Sequence, residues 1–295
     1  MKLPEEFQKN ICEVYGDIGR QWLVNLPLHL QALSRKYDLR SMIPVANLSY
    51  NYVAIVENAK NEKWVLKTSP QGADYRKETL WLKMHSEVAP QVQMFDEGYN
   101  AFFMEFIPSS HTLQETVYQG DDDKATEVLA GLIHKMYSKP APIPEDIPHL
   151  STLISSFQFL KGKLSDAFVD KARTLWKDLT VAQTSDVFLH GDLHHDNVLV
   201  TDRGPKVIDP HGYLGDPCSE VGAMIYNPLG WEALHDEKRL RRRLEILGEV
   251  LPFDKKKIRA WAFAKTMLSM AWTVEGSGRV PPHELRIAEI LENEL

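Results

Sequence analysis

The chain has 295 residues, 43% hydrophobic and 25% charged, which fits one large folded domain or two smaller ones and excludes disordered and fibrous classes. Thirty-four Lys and Arg against 41 Asp and Glu give a net charge of −7, which argues against a nucleic-acid partner and is compatible with a cationic small molecule. Two cysteines, Cys12 and Cys218, are too few for a disulfide scaffold and wrongly spaced for a zinc ribbon.

The opening MKLPEEFQKN has no apolar run of the kind a signal peptide needs. No stretch reaches the ~18 apolar residues of a membrane span, so a cytoplasmic protein without a membrane partner is expected. In chain order, Trp22, Leu26, Leu30, Leu33 and Tyr37 recur at helical spacing and predict a helix that Pro27 should kink or split. Tyr52–Val56 and Lys63–Thr68 are β-rich, with Glu57–Glu62 as turn material between them, and predict a hairpin. A helix is expected at about 72–86, then strands near Val92–Phe95 and Ala101–Ile107.

Pro108-Ser109-Ser110 punctuates the chain. Beyond it, helices are expected at about 121–137, 150–180, 217–226, 236–250, 254–275 and 282–293, with a proline-rich loop from Pro140 to Pro148. Trp261, Ala264, Leu268, Ala271 and Trp272 would share one face of the helix at 254–275. Asp121-Asp122-Asp123 reads as a charge cluster at a helix N-terminus, and Arg239, Arg241, Arg242 and Arg243 as a solvated face. The layout is a β-rich lobe over 1–107 and a larger helical lobe over 108–295. Clefts between lobes commonly bind a nucleotide and its substrate.

The most unusual run is His190-Gly191-Asp192-Leu193-His194-His195-Asp196-Asn197, followed by two short β-rich runs and then Asp209-Pro210. An Asp and an Asn five residues apart, with a second Asp just after a strand, suit phosphoryl transfer from a nucleotide. One carboxylate orients or deprotonates an attacking hydroxyl. The carboxamide oxygen and the second carboxylate are hard ligands of the kind magnesium prefers.

This pattern resembles the catalytic loop and metal-binding element of the protein-kinase-like superfamily, in the HGD form of its small-molecule kinases. The resemblance implies that Asp192 is the catalytic aspartate and that Asn197 and Asp209 hold Mg²⁺. It also implies a strand lysine for the ATP phosphates, Lys67, and a helical glutamate to pair with it, Glu78, with Asp74 as runner-up. A hinge that reads adenine would fall at Glu105, Phe106 and Ile107, within Met104–Pro108. The loop Asn47–Tyr52 departs from the superfamily in having no glycine, and Ser49 and Asn51 would bond phosphate there instead.

The run LHGDLHHDNVLV with KVIDPHGYLGDP, and the flanks YGDIGRQWLVNLPLHLQAL and AWAFAKTMLSMAW, look like the aminoglycoside 6-phosphotransferase (streptomycin kinase) and hydroxyurea kinase family over nearly the whole chain. The resemblance implies a two-lobed α+β kinase-like fold and Mg-dependent transfer of the ATP γ-phosphoryl group to a small-molecule hydroxyl, with a streptomycin-like aminoglycoside as leading acceptor. His194, His195, Asp216, Glu220 and Glu275 are candidate acceptor contacts. The histidines read equally as a polar loop face, and each carboxylate as a helix cap or solvated group. His190 reads as a structural anchor for the loop. Hydroxyurea, a sugar or an amino alcohol is the alternative acceptor. A non-catalytic nucleotide-binding module is the alternative of a different class, and a zinc hydrolase built on His190, His194, His195 and His211 lacks a supporting motif.

Overall fold

A computed structural model describes residues 3–71, 75–109, 111–139, 141–181, 185–229 and 236–295. Asp74, Ser110 and Pro140, named above, lie outside the described residues. The chain forms two compact units, one ending at Pro108 and one starting at Ser109.

In the first unit, α1 (Glu5–Lys36) opens with Glu5 and Glu6 and closes with Arg35 and Lys36, charges that oppose the helix dipole at each end. Pro27 does not split it, contrary to the sequence expectation. The break falls at Gly16 (φ 55°, ψ −129°). The buried stripe Trp22, Leu26, Leu30 and Leu33 runs straight past Pro27, so packing outweighs a proline penalty of about 3 kcal/mol.

Five antiparallel strands follow: β1 (Leu39–Pro44), β2 (Tyr52–Asn58), β3 (Lys63–Thr68), β4 (Val92–Asp96) and β5 (Ala101–Glu105). Their order is β1-β2-β3-β5-β4, which puts β3 in the middle. Strand β2 alternates strictly, with Tyr52, Ala54 and Val56 buried on the face that meets α1. The β2–β3 turn is closed by Asn58, whose Oδ1 accepts from the backbone N–H of Lys60 (2.9 Å) and Glu62 (3.0 Å). Helix α2 (Tyr75–Met84) connects β3 to β4.

The second unit begins with β6 (His111–Thr112), α3 (Leu113–Tyr118) and α4 (Asp122–Tyr137). The single helix expected at 150–180 is instead a 3₁₀ segment, Leu150–Leu160, and α5 (Asp166–Leu179). Ser165 restarts the chain as an N-cap, its hydroxyl accepting from Phe168 N–H. Short strands β7 (Val187–Leu189), β8 (Val198–Val200), β9 (Lys206–Val207) and β10 (Tyr213–Gly215) come next, then α6 (Val221–Tyr226), α7 (Glu237–Val250), α8 (Lys255–Ser277) and α9 (Pro282–Glu292).

Helix α8 is the core of this unit. The expected single apolar face is too narrow a description, since Ala260 through Ala271 are buried all round the helix. Trp261 meets Trp176 of α5 edge-on at 5.6 Å, and Trp176 meets Phe157 at 5.7 Å. The arginine run on α7 is not wholly solvated. Arg243 is 1% exposed and clasps Asp122, itself 2% exposed, through Nε at 3.1 Å to each carboxylate oxygen and Nη2 at 2.5 Å to Oδ1. Asp122 is therefore an interior ion-pair partner as well as a first-turn acid of α4.

Candidate active site

In the first unit, Lys67 points off the central strand into the protein. Its Nζ lies 2.9 Å from both carboxylate oxygens of Glu78 on α2, with Lys67 4% and Glu78 6% exposed. Tyr75, one turn before Glu78, packs its ring 5.8 Å from the Lys67 ammonium. The Tyr75 hydroxyl donates to Asn51 Oδ1 at 2.8 Å, which leaves the Asn51 amide N–H groups as the donors on that loop. Burial pushes the Tyr75 hydroxyl well above its ordinary pKa.

Ser49 is exposed, and its carbonyl accepts from the Asn10 side chain at 3.4 Å, tying the loop to α1. At the other end of the sheet, Glu105 N–H donates to Gln91 O (2.8 Å), while Glu105 Oε2 accepts from Gln91 N–H (3.2 Å). Phe106 lies under the Lys63 ammonium at 5.9 Å, and Ile107 is half-buried just before the unit ends.

In the second unit, two antiparallel pairings bring the chemistry-bearing loops together. Strand β7 pairs with β10, and β8 with β9, so residues 190–197 and 208–212 run side by side. His211 N–H donates to His190 O at 2.8 Å, and Ile208 N–H to Asn197 O at 2.9 Å. Asp192, Asn197 and Asp209 are thus held on one pair of loops.

The Asp192 carboxylate is a quarter exposed, and its Oδ2 lies 3.4 Å from His194 Nε2 and 3.7 Å from His211 Nε2. Burial works to raise its pKa. The charges of His194, His211 and Lys265 outweigh burial and hold the carboxyl well below the usual range. Conversely, burial works against the His194 imidazolium, and Asp192 more than restores it, so the His194 pKa rises. Asn197 donates its Nδ2 to the Asp192 carbonyl at 2.9 Å, which leaves Oδ1 as its acceptor. That oxygen and the exposed Asp209 carboxylate, carried on the two paired loops, are hard donors of the kind that could hold a cation such as Mg²⁺. Asp209 is in the left-handed region (φ 62°). Among the described residues, no group of three or more His, Cys, Asp or Glu side chains is placed to hold a metal.

Beneath the loop lies a buried bracket. His190 is fully buried, its Nε2 at 2.9 Å from Ile208 O and its Nδ1 accepting from Asp192 N–H at 3.2 Å. Burial drops its pKa to about 3, so the imidazole is neutral. The acceptor role considered for Glu220 is corrected here, because that carboxylate is 2% exposed and spent inside the protein. It accepts from His190 N–H (2.6 Å), Gly191 N–H (3.1 Å) and the Tyr137 hydroxyl (2.6 Å). Asp216 is corrected likewise. It caps the 3₁₀ turn Pro217–Glu220 by accepting from Cys218 N–H at 2.9 Å, and it pairs with Lys257.

His195 is 1% exposed, so it too is interior rather than an acceptor contact, and burial followed by the nearby Arg243 charge keeps it neutral. Glu275 is exposed in the last turn of α8. It stands ten residues beyond Lys265, about 15 Å along the axis. Of the five acceptor candidates, only His194 touches Asp192. Sequence reasoning missed Tyr137 and Lys265. Lys265 donates its Nζ to Gly191 O at 2.8 Å. Its signal was a lone charge inside the apolar run AWAFAKTMLSMAW. Tyr137 ends α4 with nothing to distinguish it.

This loop architecture on this fold defines a class, the small-molecule kinases, which phosphorylate an alcohol group. Choline kinase from Streptococcus pneumoniae shares the fold with a TM-score of 0.62 and 16% identity, over 93% of this chain and 98% of that one. The sequence pattern of the aminoglycoside/hydroxyurea antibiotic resistance kinases matches residues 43–277, and the chain belongs to that family. Streptomycin 6-kinase of Streptomyces griseus is 26% identical over 314 residues, covering 98% of this chain and 96% of that protein. Hydroxyurea phosphotransferase of Kitasatospora aureofaciens is 25% identical over 309 residues, covering 99% and 86%. Among the described residues, no helix is long and apolar enough to cross a membrane.

Proposed function

We propose that the protein transfers the γ-phosphoryl group of ATP, with Mg²⁺, to a hydroxyl of a cationic small molecule, foremost an aminoglycoside of the streptomycin kind. The observation that carries this reading is the Asp192 carboxylate, ionised and partly exposed beside His194, on the loop that also holds Asn197. Asp192 orients the acceptor hydroxyl and takes its proton. Lys67 binds phosphate oxygens, Glu78 fixes Lys67, and Ser49 and Asn51 offer donors to the phosphates. The backbone at Glu105, Phe106 and Ile107 carries the adenine. Asn197 Oδ1 and Asp209 hold the metal, which when bound neutralises charge on the phosphates.

Asp196 adds negative charge close to His194 on the same loop, which supports a cationic acceptor. The streptomycin kinase relative supports the aminoglycoside. The hydroxyurea phosphotransferase relative, nearly as similar, supports hydroxyurea as the second reading. The test is ADP release from Mg-ATP against streptomycin, other aminoglycosides, hydroxyurea, sugars and amino alcohols. Release dependent on streptomycin supports the first reading, and release dependent on hydroxyurea alone moves the second ahead. ATP binding without release for any acceptor would favour a nucleotide-binding module and overturn the phosphotransfer assignment.

A further inference from the structure

We propose that Lys265, seated by Gly222, is a positioning residue for Asp192, and that its buried ammonium locks the peptide leading into the catalytic aspartate. The inference rests on the phosphotransfer reading above. Lys265 lies in the middle of α8 and is 3% exposed. Its Nζ donates to Gly191 O at 2.8 Å. The N–H of the same Gly191 donates to Glu220 Oε2 at 3.1 Å, and the next N–H, that of Asp192, donates to His190 Nδ1 at 3.2 Å. Three successive backbone groups entering Asp192 are therefore each held by a buried side chain.

Lys265 is the one that fixes a carbonyl. Gly191 has φ +85°, and the peptide after such a residue can rotate at little steric cost. Rotation would turn the carbonyl away and swing the aspartate with it. An ammonium bonded to that carbonyl oxygen opposes the rotation by a charge-assisted bond.

Gly222 shows that the fold makes room for this side chain. A Cβ at Gly222 would fall 2.3 Å from Lys265 Cβ and 2.4 Å from Cγ, so any larger residue on α6 would displace the stem. Packing alone does not call for a lysine here. A methionine would fill the same space without the desolvation cost of a buried charge, so what the ammonium adds is its bond to Gly191 O and its charge beside Asp192 and Glu220.

The test compares Lys265→Met, Gly222→Ala and a core truncation on α7, Leu247→Ala, measuring kcat per folded molecule, the KM for ATP and for the acceptor, and the melting temperature. Lys265→Met keeps the apolar stem and removes the charge. Gly222→Ala keeps the charge and moves the stem. Both are expected to lower kcat about a hundredfold while both KM values stay within about threefold, the pattern of a misplaced reacting group. Leu247→Ala is expected to lower the melting temperature with kcat per folded molecule unchanged. If Gly222→Ala does not fold, Lys265→Met decides alone. A kcat for Lys265→Met within about threefold of the parent would overturn the inference and leave the phosphotransfer reading intact. A parent with no turnover of Mg-ATP would overturn both, whereas an Asp192→Asn variant that turns over at full rate would overturn the inference about Lys265 and leave phosphotransfer in place.

Discussion

Glu78 presents both of its carboxylate oxygens to Lys67 at equal distance, 2.9 Å, inside the first unit. The two charges are a compensated pair in an interior that would tolerate neither alone. Lys67→Met removes the ammonium facing the buried Glu78 carboxylate, which should cost about 3–5 kcal/mol of stability as well as raising the KM for ATP. Lys67→Met with Glu78→Gln should regain much of the stability and none of the ATP affinity. Urea unfolding alongside ATP titration reads both. A double variant that binds ATP as tightly as the parent would remove Lys67 from the phosphate site.

Asp192→Asn keeps the shape of the loop and removes the proposed base. Turnover should fall by about 10²–10⁴-fold, with ATP binding by calorimetry unchanged. An unchanged rate would mean that another group accepts the proton.

Asn197 has two jobs in the proposed mechanism, because its amide nitrogen holds the Asp192 carbonyl and its oxygen is left as the acceptor proposed for the metal. Asn197→Ala should raise the Mg²⁺ concentration for half-maximal activity by at least about tenfold, and kcat should stay low at saturating Mg²⁺. A normal magnesium curve would place the metal elsewhere.

His190 sets a pH dependence of stability. Its folded pKa is about 3, against about 6.5 when unfolded. Below about pH 6.5 the unfolded chain therefore takes up a proton that the folded chain refuses, and stability falls as the pH drops toward 3. At about pH 5 this one group accounts for about 2 kcal/mol of lost stability. Urea midpoints of the parent near pH 7.5 and pH 5 should differ by more than those of His190→Gln. An equal difference would show that another buried group, such as His195, dominates.

The fold was readable where the chain advertises itself. Strand β2 alternates over its whole length, and α2 and β3 place Glu78 and Lys67 where the kinase-like pattern asks for them. Strand β1 escaped notice because its residues are mostly exposed and carry no alternation. Strands β7 and β10 are three residues each, too short for a period, yet their pairing fixes the distance between the two halves of the loop. Asp192, Asn197 and Asp209 stand out by type and spacing. Asp216 and Glu220 did not reveal their roles, because a carboxylate that caps and one that meets solvent look alike until burial is known. Arg243 and Lys265 show the converse, since a long cation in sequence gives no sign of the buried partner it will find.

The bracket of His190, Glu220, Tyr137 and Lys265 lies on the inner side of the loop, whereas His211 and Asp209 lie on the outer. On the proposed mechanism the rate depends on the inner set and on Asp209 as metal ligand, and the choice of acceptor on exposed positions near His211. Under laboratory selection for a new acceptor, substitutions should accumulate around His211 and spare Asp209 and the inner positions. A change of acceptor would then leave the turnover of the parent intact.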